Sequence, residues 1–215
     1  MSEDSVNSSD SIQIADDIIR TQIIKQGNKN SSFFNYSFKN LAEYLNIISS
    51  KDKLLRIYTW DTWTGGTGHY YYAVAQFLGE DKNVHTQLIC DTTGSDSGLS
   101  YSEIYTCNIK GRQYYLSIGD GKYSTRDLGQ TIIVYTIKGN HLVQAPIIKT
   151  QKGLTNSIHI GYDLSNLNGK KDHLIAFNET TNELKTPVVN PEGKILNKDI
   201  IYKLKGEYFE RIGIK

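Results

Sequence analysis

Three octapeptides, "NIKGRQYY" from Asn108, "TIKGNHLV" from Thr136 and "KLKGEYFE" from Lys203, share one arrangement: an aliphatic residue, Lys-Gly, a polar residue, then strand formers. Gly111, Gly139 and Gly206 supply the permissive backbone that a tight hairpin demands, and the lysines keep the tips in water. Three such hairpins commit much of the chain to antiparallel pairing. Their spacings, 28 and 67 residues, are unequal, so this is repeated hairpin chemistry and not a repeated domain.

The rest of the chain from Leu54 onward agrees. Short β-type runs separated by Gly, Asn and Asp predict strands near 54–60, 69–78, 84–90, 101–109, 112–119, 131–138, 141–149, 157–163, 172–178, 184–189, 199–205 and 207–212. Fifteen Tyr against one Met and three Pro, with abundant Thr, Ile and Val, is the usage of a pleated, half-buried surface rather than of a helical bundle. The runs group into meanders over 54–90, 101–149 and 157–212, and the expected fold is mainly β with antiparallel, propeller-like meanders. A sandwich or barrel is the second expectation. The "WD" dipeptide of a propeller repeat occurs once, at Trp60-Asp61, without a Gly-His partner at repeat spacing.

Two amphipathic helices are expected ahead of the strands. Asp10 and Gln13 have capping-box spacing before "IQIADDIIRTQIIKQG", where Ile12, Ala15, Ile19 and Ile23 form a stripe and Gly27 closes the end. Ser37 can cap a second helix with Phe38, Leu41, Ala42, Leu45 and Ile48 on one face. Residues 1–10 then read as a polar tether, 11–50 as a helical segment packed on the main domain, and 51–215 as one all-β domain. That tether, behind Met1, carries the expectation that an export signal has been replaced.

Charge and cysteine content narrow the partners. Lys+Arg 24 against Asp+Glu 23 leaves +1, with no overall field to draw the chain onto nucleic acid. No stretch has the length and apolarity of a transmembrane span. Cys90 and Cys107 allow either one cross-strand disulfide or two small buried hydrophobes. His69, His85, His141, His159 and His173 lack metal-ligand spacing, and "DTTGSDSG" from Asp91 lacks the alternating oxygens of a calcium loop, so neither metal nor cofactor is expected.

The segment "KLLRIYTWDTWTGGTGHYYYAVAQF" from Lys53 concentrates chemistry. It resembles a group of exported bacterial proteins of Bacteroidota type that carry R-I-Y-x-W-D-T-x-T-G-G-T-x-H. The later "GLTNSIHIGYD" and "DIIYKLKGEYFE" resemble corresponding parts of that group, over roughly residues 36–212. The group has no established activity, so the resemblance implies a periplasmic or cell-surface setting and assigns no catalytic residue.

Two readings of this segment compete. Thr67, His69 and Asp61 are the residue types of a nucleophile, a base and its orienting acid, and Cys90 with Asp91 is a second such set, but no nucleophile motif accompanies either. Alternatively Gly65-Gly66 makes a sharp reversal in a stiff aromatic corner that recognises a ligand. The expected binding residues are Trp60, Asp61, Trp63, His69 and Tyr71, joined by Asp120 and Arg126 from the turn "SIGDGKYSTRD", with Lys122 at the rim. The leading expectation is a non-catalytic exported protein that binds a macromolecule or glycan. A hydrolase using His69 with an acidic partner, and a protective or inhibitory partner of a secreted toxin, are the alternatives.

Overall fold

The structure is a computed structural model that describes residues 8–29, 31–90, 97–167 and 174–215. Among the described residues one α-helix, α1 (Ser8–Lys29), precedes fifteen strands. The N-terminal sheet is β1 (Asn46–Ser49), β2 (Leu55–Asp61), β3 (Tyr71–Leu78) and β4 (Val84–Cys90), paired in chain order. The central sheet comprises β5 (Ser100–Ile109), β6 (Arg112–Lys122), β7 (Asp127–Lys138), β8 (His141–Gln144) and β11 (Ser157–Asp163). Its order is β11-β7-β6-β5, with β8 pairing the far end of β7. The C-terminal sheet contains β9 (Ile148–Thr150), β10 (Gly153–Thr155), β12 (Ala176–Asn178), β13 (Glu183–Val189), β14 (Ile195–Lys205) and β15 (Tyr208–Ile214), in the order β10-β9-β15-β14-β13-β12. All described pairings are antiparallel except β15 with β9.

Side-chain alternation turns these sheets into layers. On β6, Leu116 and Ile118 enter a core shared with Ile148, Ile175, Leu184 and Phe209 of the C-terminal half. Tyr115, pointing the other way, enters a core shared with Leu55, Ile57, Ala75 and Phe77 of the N-terminal sheet. The central sheet is therefore covered on both faces. Beyond it, Tyr58, Trp60 and Val74 on the outer face of the N-terminal sheet pack under Ile23 of α1. Consecutive small sheets packed face to face are what neighbouring propeller blades share, but the described residues form no closed ring or barrel.

The three Lys-Gly hairpins form, with a register difference. Ile109 pairs with Arg112, so Lys110-Gly111 is the two-residue loop and both residues take positive φ, at 50° and 82°. In the other two, Lys138 pairs with His141 and Lys205 with Tyr208, which moves the glycine to the first loop position. Lysine therefore sits in the loop once and closes the ladder twice.

The N-terminal region differs from the two-helix expectation. The second helix does not form: Phe38 has φ 48°, residues Lys39–Leu41 make a 3-10 turn, and Asn46–Ser49 join the sheet as β1. An edge on β2 explains this. Pairing with Arg56–Thr59 satisfies backbone groups that a helix would leave open, and it sends Ile47 and Ile48 into different cores.

Helix α1 starts before the expected cap at Asp10 and is rotated from the expected stripe, with Ala15 and Ile19 exposed and Asp16 and Ile23 buried. Gly27 lies within the helix rather than closing it, at a close approach to β4. A Cβ there would stand 2.4 Å from Thr86 Oγ1, while the Gly27 carbonyl accepts from Gln76 Nε2 at 3.0 Å. Cys90 and Cys107 are not disulfide-bonded. They pack into cores on opposite faces of the central sheet, and Cys107 Sγ donates to Asn182 Oδ1 at 3.3 Å.

Asp16, 7% exposed, accepts a hydrogen bond from Trp60 Nε1 at 3.1 Å. Burial pushes its carboxyl up to about 6; the Trp60 bond opposes this, Asp17 and Asp61 reinforce it, and Arg20 opposes it. A carboxyl raised on folding contributes stability that is fully present below the unfolded value of 3.8 and lost as pH rises through about 6. Thermal unfolding between pH 4 and pH 8 is expected to show this loss, most of it complete by about pH 6 to 7. Asp16→Asn, which keeps an acceptor for Trp60, is expected to flatten the dependence and raise the midpoint at pH 8.

Candidate functional site

The loop between β2 and β3 is built by backbone bonds across its base. Thr62 N donates to Tyr70 O at 2.8 Å, and Gly68 N to Gly65 O at 3.1 Å. Asp61, the last residue of β2, turns its carboxylate into the loop, where Oδ1 accepts the Trp63 amide at 2.9 Å. This Asx turn holds Trp63 at φ 58°, an uncommon backbone conformation for a large side chain, and leaves the indole 69% exposed.

The other carboxylate oxygen of Asp61 contacts Nδ1 of His69. Nε2 of the same ring lies 2.9 Å from Lys122 Nζ, at the end of β6. An ammonium only donates, so Nε2 is the acceptor and the ring proton sits on Nδ1, facing Asp61. The row Asp61–His69–Lys122 thus alternates acceptor and donor without leaving a ring nitrogen open. His69 N also donates to Lys122 O at 2.8 Å, which ties the loop to the central sheet.

Rings line this row. The His69 and Tyr71 rings stack with centroids 6.0 Å apart and planes 17° apart, and Trp63 lies 6.1 Å from His69 at 55°. Burial pushes the Tyr71 phenol up to about 12, and the Asp61 and Asp120 carboxylates reinforce the shift, so at neutral pH it remains a neutral hydroxyl. The Tyr71 backbone is clamped as well: its amide donates to Ser97 O at 2.8 Å, and a Cβ on Gly98, at φ 67°, would meet Tyr71 O at 2.2 Å.

Asp61, Trp63, His69, Tyr71 and Asp120 are thus brought together, but two expected members are not. Trp60 is 4% exposed, its Nε1 is bonded to Asp16, and it belongs to the core under α1 rather than to a surface. Arg126 is exposed in the β6–β7 turn, close enough to Asp163 to lower that carboxyl after its bonds to Ser165 have done so. Asp120 sits in strand β6 rather than in the expected turn, which spans 123–126. It is paired across the ladder with Gln130, whose Nε2 donates to Asp120 Oδ1 at 2.8 Å.

Gln130 was not foreseen. It is 1% exposed, and its Oε1 accepts the Ile175 amide at 2.6 Å, so it fixes Asp120 and binds the C-terminal half of the chain to the central sheet. Its only trace in the sequence is an amide side chain just ahead of the apolar run Ile132-Ile133-Val134 of β7. Thr67, the expected nucleophile, is exposed, and His69 Nε2 faces Lys122 instead. Asp91, Asp96 and His173 lie outside the described residues. Among the described residues no three His, Cys, Asp or Glu side chains group so as to hold a metal ion. Among the described residues no helix is long and apolar enough to cross a membrane.

Comparison with protein-family models, curated proteins and solved structures finds no match to this chain.

Asp61 serves two donors at once, so Asp61→Ala is expected to cost about 2–3 kcal/mol, in the range of hydrogen bonds to charged groups. Lys122→Met removes one partner and is expected to cost about 1 kcal/mol. Urea unfolding of the two variants measures both values.

Proposed function

We propose that this protein is a non-catalytic binding module that recognises a carbohydrate through the β2–β3 loop. The observation that carries the reading is Trp63: a 69% exposed indole held in a left-handed backbone conformation by the Asp61 carboxylate. A large ring fixed in solvent loses little side-chain freedom when it meets a flat apolar sugar face. The neighbouring charged row Asp61–His69–Lys122 and the Tyr71 hydroxyl supply the mixture of acceptors and donors that sugar hydroxyls require. The exported setting implied by the sequence resemblance, and the propeller-like reading of three sheets packed in succession, belong to the same proposal.

A hydrolase is the second reading, favoured by the Asp61–His69 contact. In such an enzyme Nε2 takes a proton from a nucleophile or water. Here Lys122 occupies that nitrogen, which weighs toward binding.

Binding of the protein to a panel of immobilised polysaccharides tests the proposal. Trp63→Ala is expected to weaken retention by about tenfold or more, as for an aromatic anchor, with an unchanged unfolding midpoint. Failure of every polysaccharide to bind, or equal binding by Trp63→Ala, would sink the proposal. Turnover of a glycoside that depends on His69 would replace it with the hydrolase.

A further inference from the structure

A second feature lies in the C-terminal half, apart from the β2–β3 loop. The β9–β10 hairpin stands beside β11, β14 and β15 and leaves a cleft of about 640 Å³, within the size range of small-ligand sites. Its lining is cationic and rich in hydroxyls. Lys149 is paired with Glu210 at 3.0 Å, whereas Lys152 and Arg211 have no ion pair among the described residues.

Arg211 is placed by a defect in the ladder. Tyr202 pairs with Arg211 and Ile201 with Gly213, so Ile212 is an extra residue on β15. Such a bulge re-aims the side chains beside it. It sets Arg211 directly across from Tyr202, and both line the cleft.

Tyr202 is the deciding residue. It is only 7% exposed and part of the core between the central and C-terminal sheets, yet it lines the cleft and has no hydrogen-bond partner among the described residues. Its ring is held in the core while its hydroxyl meets solvent in the cleft, where it can donate to a ligand acceptor. Burial raises its phenol and Arg211 opposes that shift, which agrees with the guanidinium lying close by. A hydroxyl donor beside an unpaired guanidinium matches an oxyanion, whose oxygens accept two N–H bonds from arginine and one O–H bond from a hydroxyl. Ser157 adds a hydroxyl along the wall, while the Thr155 hydroxyl donates to Ser157 O at 3.0 Å.

We infer that this cleft binds an oxyanion group of a polar ligand, with Arg211 as its two-pronged partner, Tyr202 as a hydroxyl donor and Lys152 as the second positive charge. Phosphate, sulfate and carboxylate share this chemistry.

Titration calorimetry of the full chain at low salt, with inorganic phosphate, inorganic sulfate and glucuronate in separate arms, distinguishes these sources. Saturable one-site binding is expected in at least one arm. Arg211→Gln is expected to weaken it about tenfold or more, and Tyr202→Phe about threefold or more with the unfolding midpoint retained, since the ring is kept. Lys203→Gln, an exposed cation outside the cleft, is expected to leave it unchanged. The inference is overturned if no arm shows saturable binding, if either cleft variant keeps the parental affinity, or if Lys203→Gln weakens binding as much as Arg211→Gln. Trp63→Ala leaves this binding intact, so the outcome is separable from that at the β2–β3 loop.

Discussion

The burial of the central sheet on both faces is the constraint on which the other features depend. A strand in that position has no solvent side, and its sequence must be apolar in both directions. Strand β7 meets this with Ile132 and Val134 toward one core and Ile133 and Tyr135 toward the other. Polar groups that remain inside are mostly bonded to one another: the hydroxyls of Tyr101 and Tyr135 lie 2.7 Å apart, and Gln130 is held between Asp120 and the Ile175 amide, whereas the buried Ser117 hydroxyl has no partner among the described residues. The outer sheets are then positioned by what they cover, and α1 covers the remaining face of the N-terminal sheet.

The candidate site lies where this apolar layer ends. Toward the tip of β6 the residues change from Leu116 and Ile118 to Asp120 and Lys122, and the β2–β3 loop closes over that end through His69. An imidazole bonded on both nitrogens and stacked on Tyr71 is a poor place for proton transfer but a stiff support for neighbouring groups. Rigidity is what a binding surface needs if ordering the loop is not to offset the contacts it makes. The strained backbone of Trp63 belongs to the same arrangement, since a left-handed conformation persists only where its surroundings enforce it.

Much of the strand pattern was legible along the chain. The expected 84–90 and 157–163 coincide with β4 and β11, and the Lys-Gly hairpins appear where turn chemistry put them. The N-terminal region was misread because Phe38, Leu41, Leu45 and Ile48 satisfy a helical stripe, while the open edge of β2, a distant partner, rewards a strand. Strand β10 was too short to register as a run of its own. At the site, Asp61 and His69 were recognisable as chemically capable neighbours, and Trp60 was misplaced because an aromatic residue looks alike whether it faces solvent or a core.

The order of strands, the three tight turns and the aromatic loop after β2 follow from local chemistry, because period-two patterning and glycine placement act over a few residues. Which face of α1 is buried, why Lys122 meets His69, and how a bulge sets Arg211 across from Tyr202 depend on contacts between segments far apart in the chain. These are outcomes of layer packing. A residue's type states what it can bond to, but the fold selects which partner lies within reach.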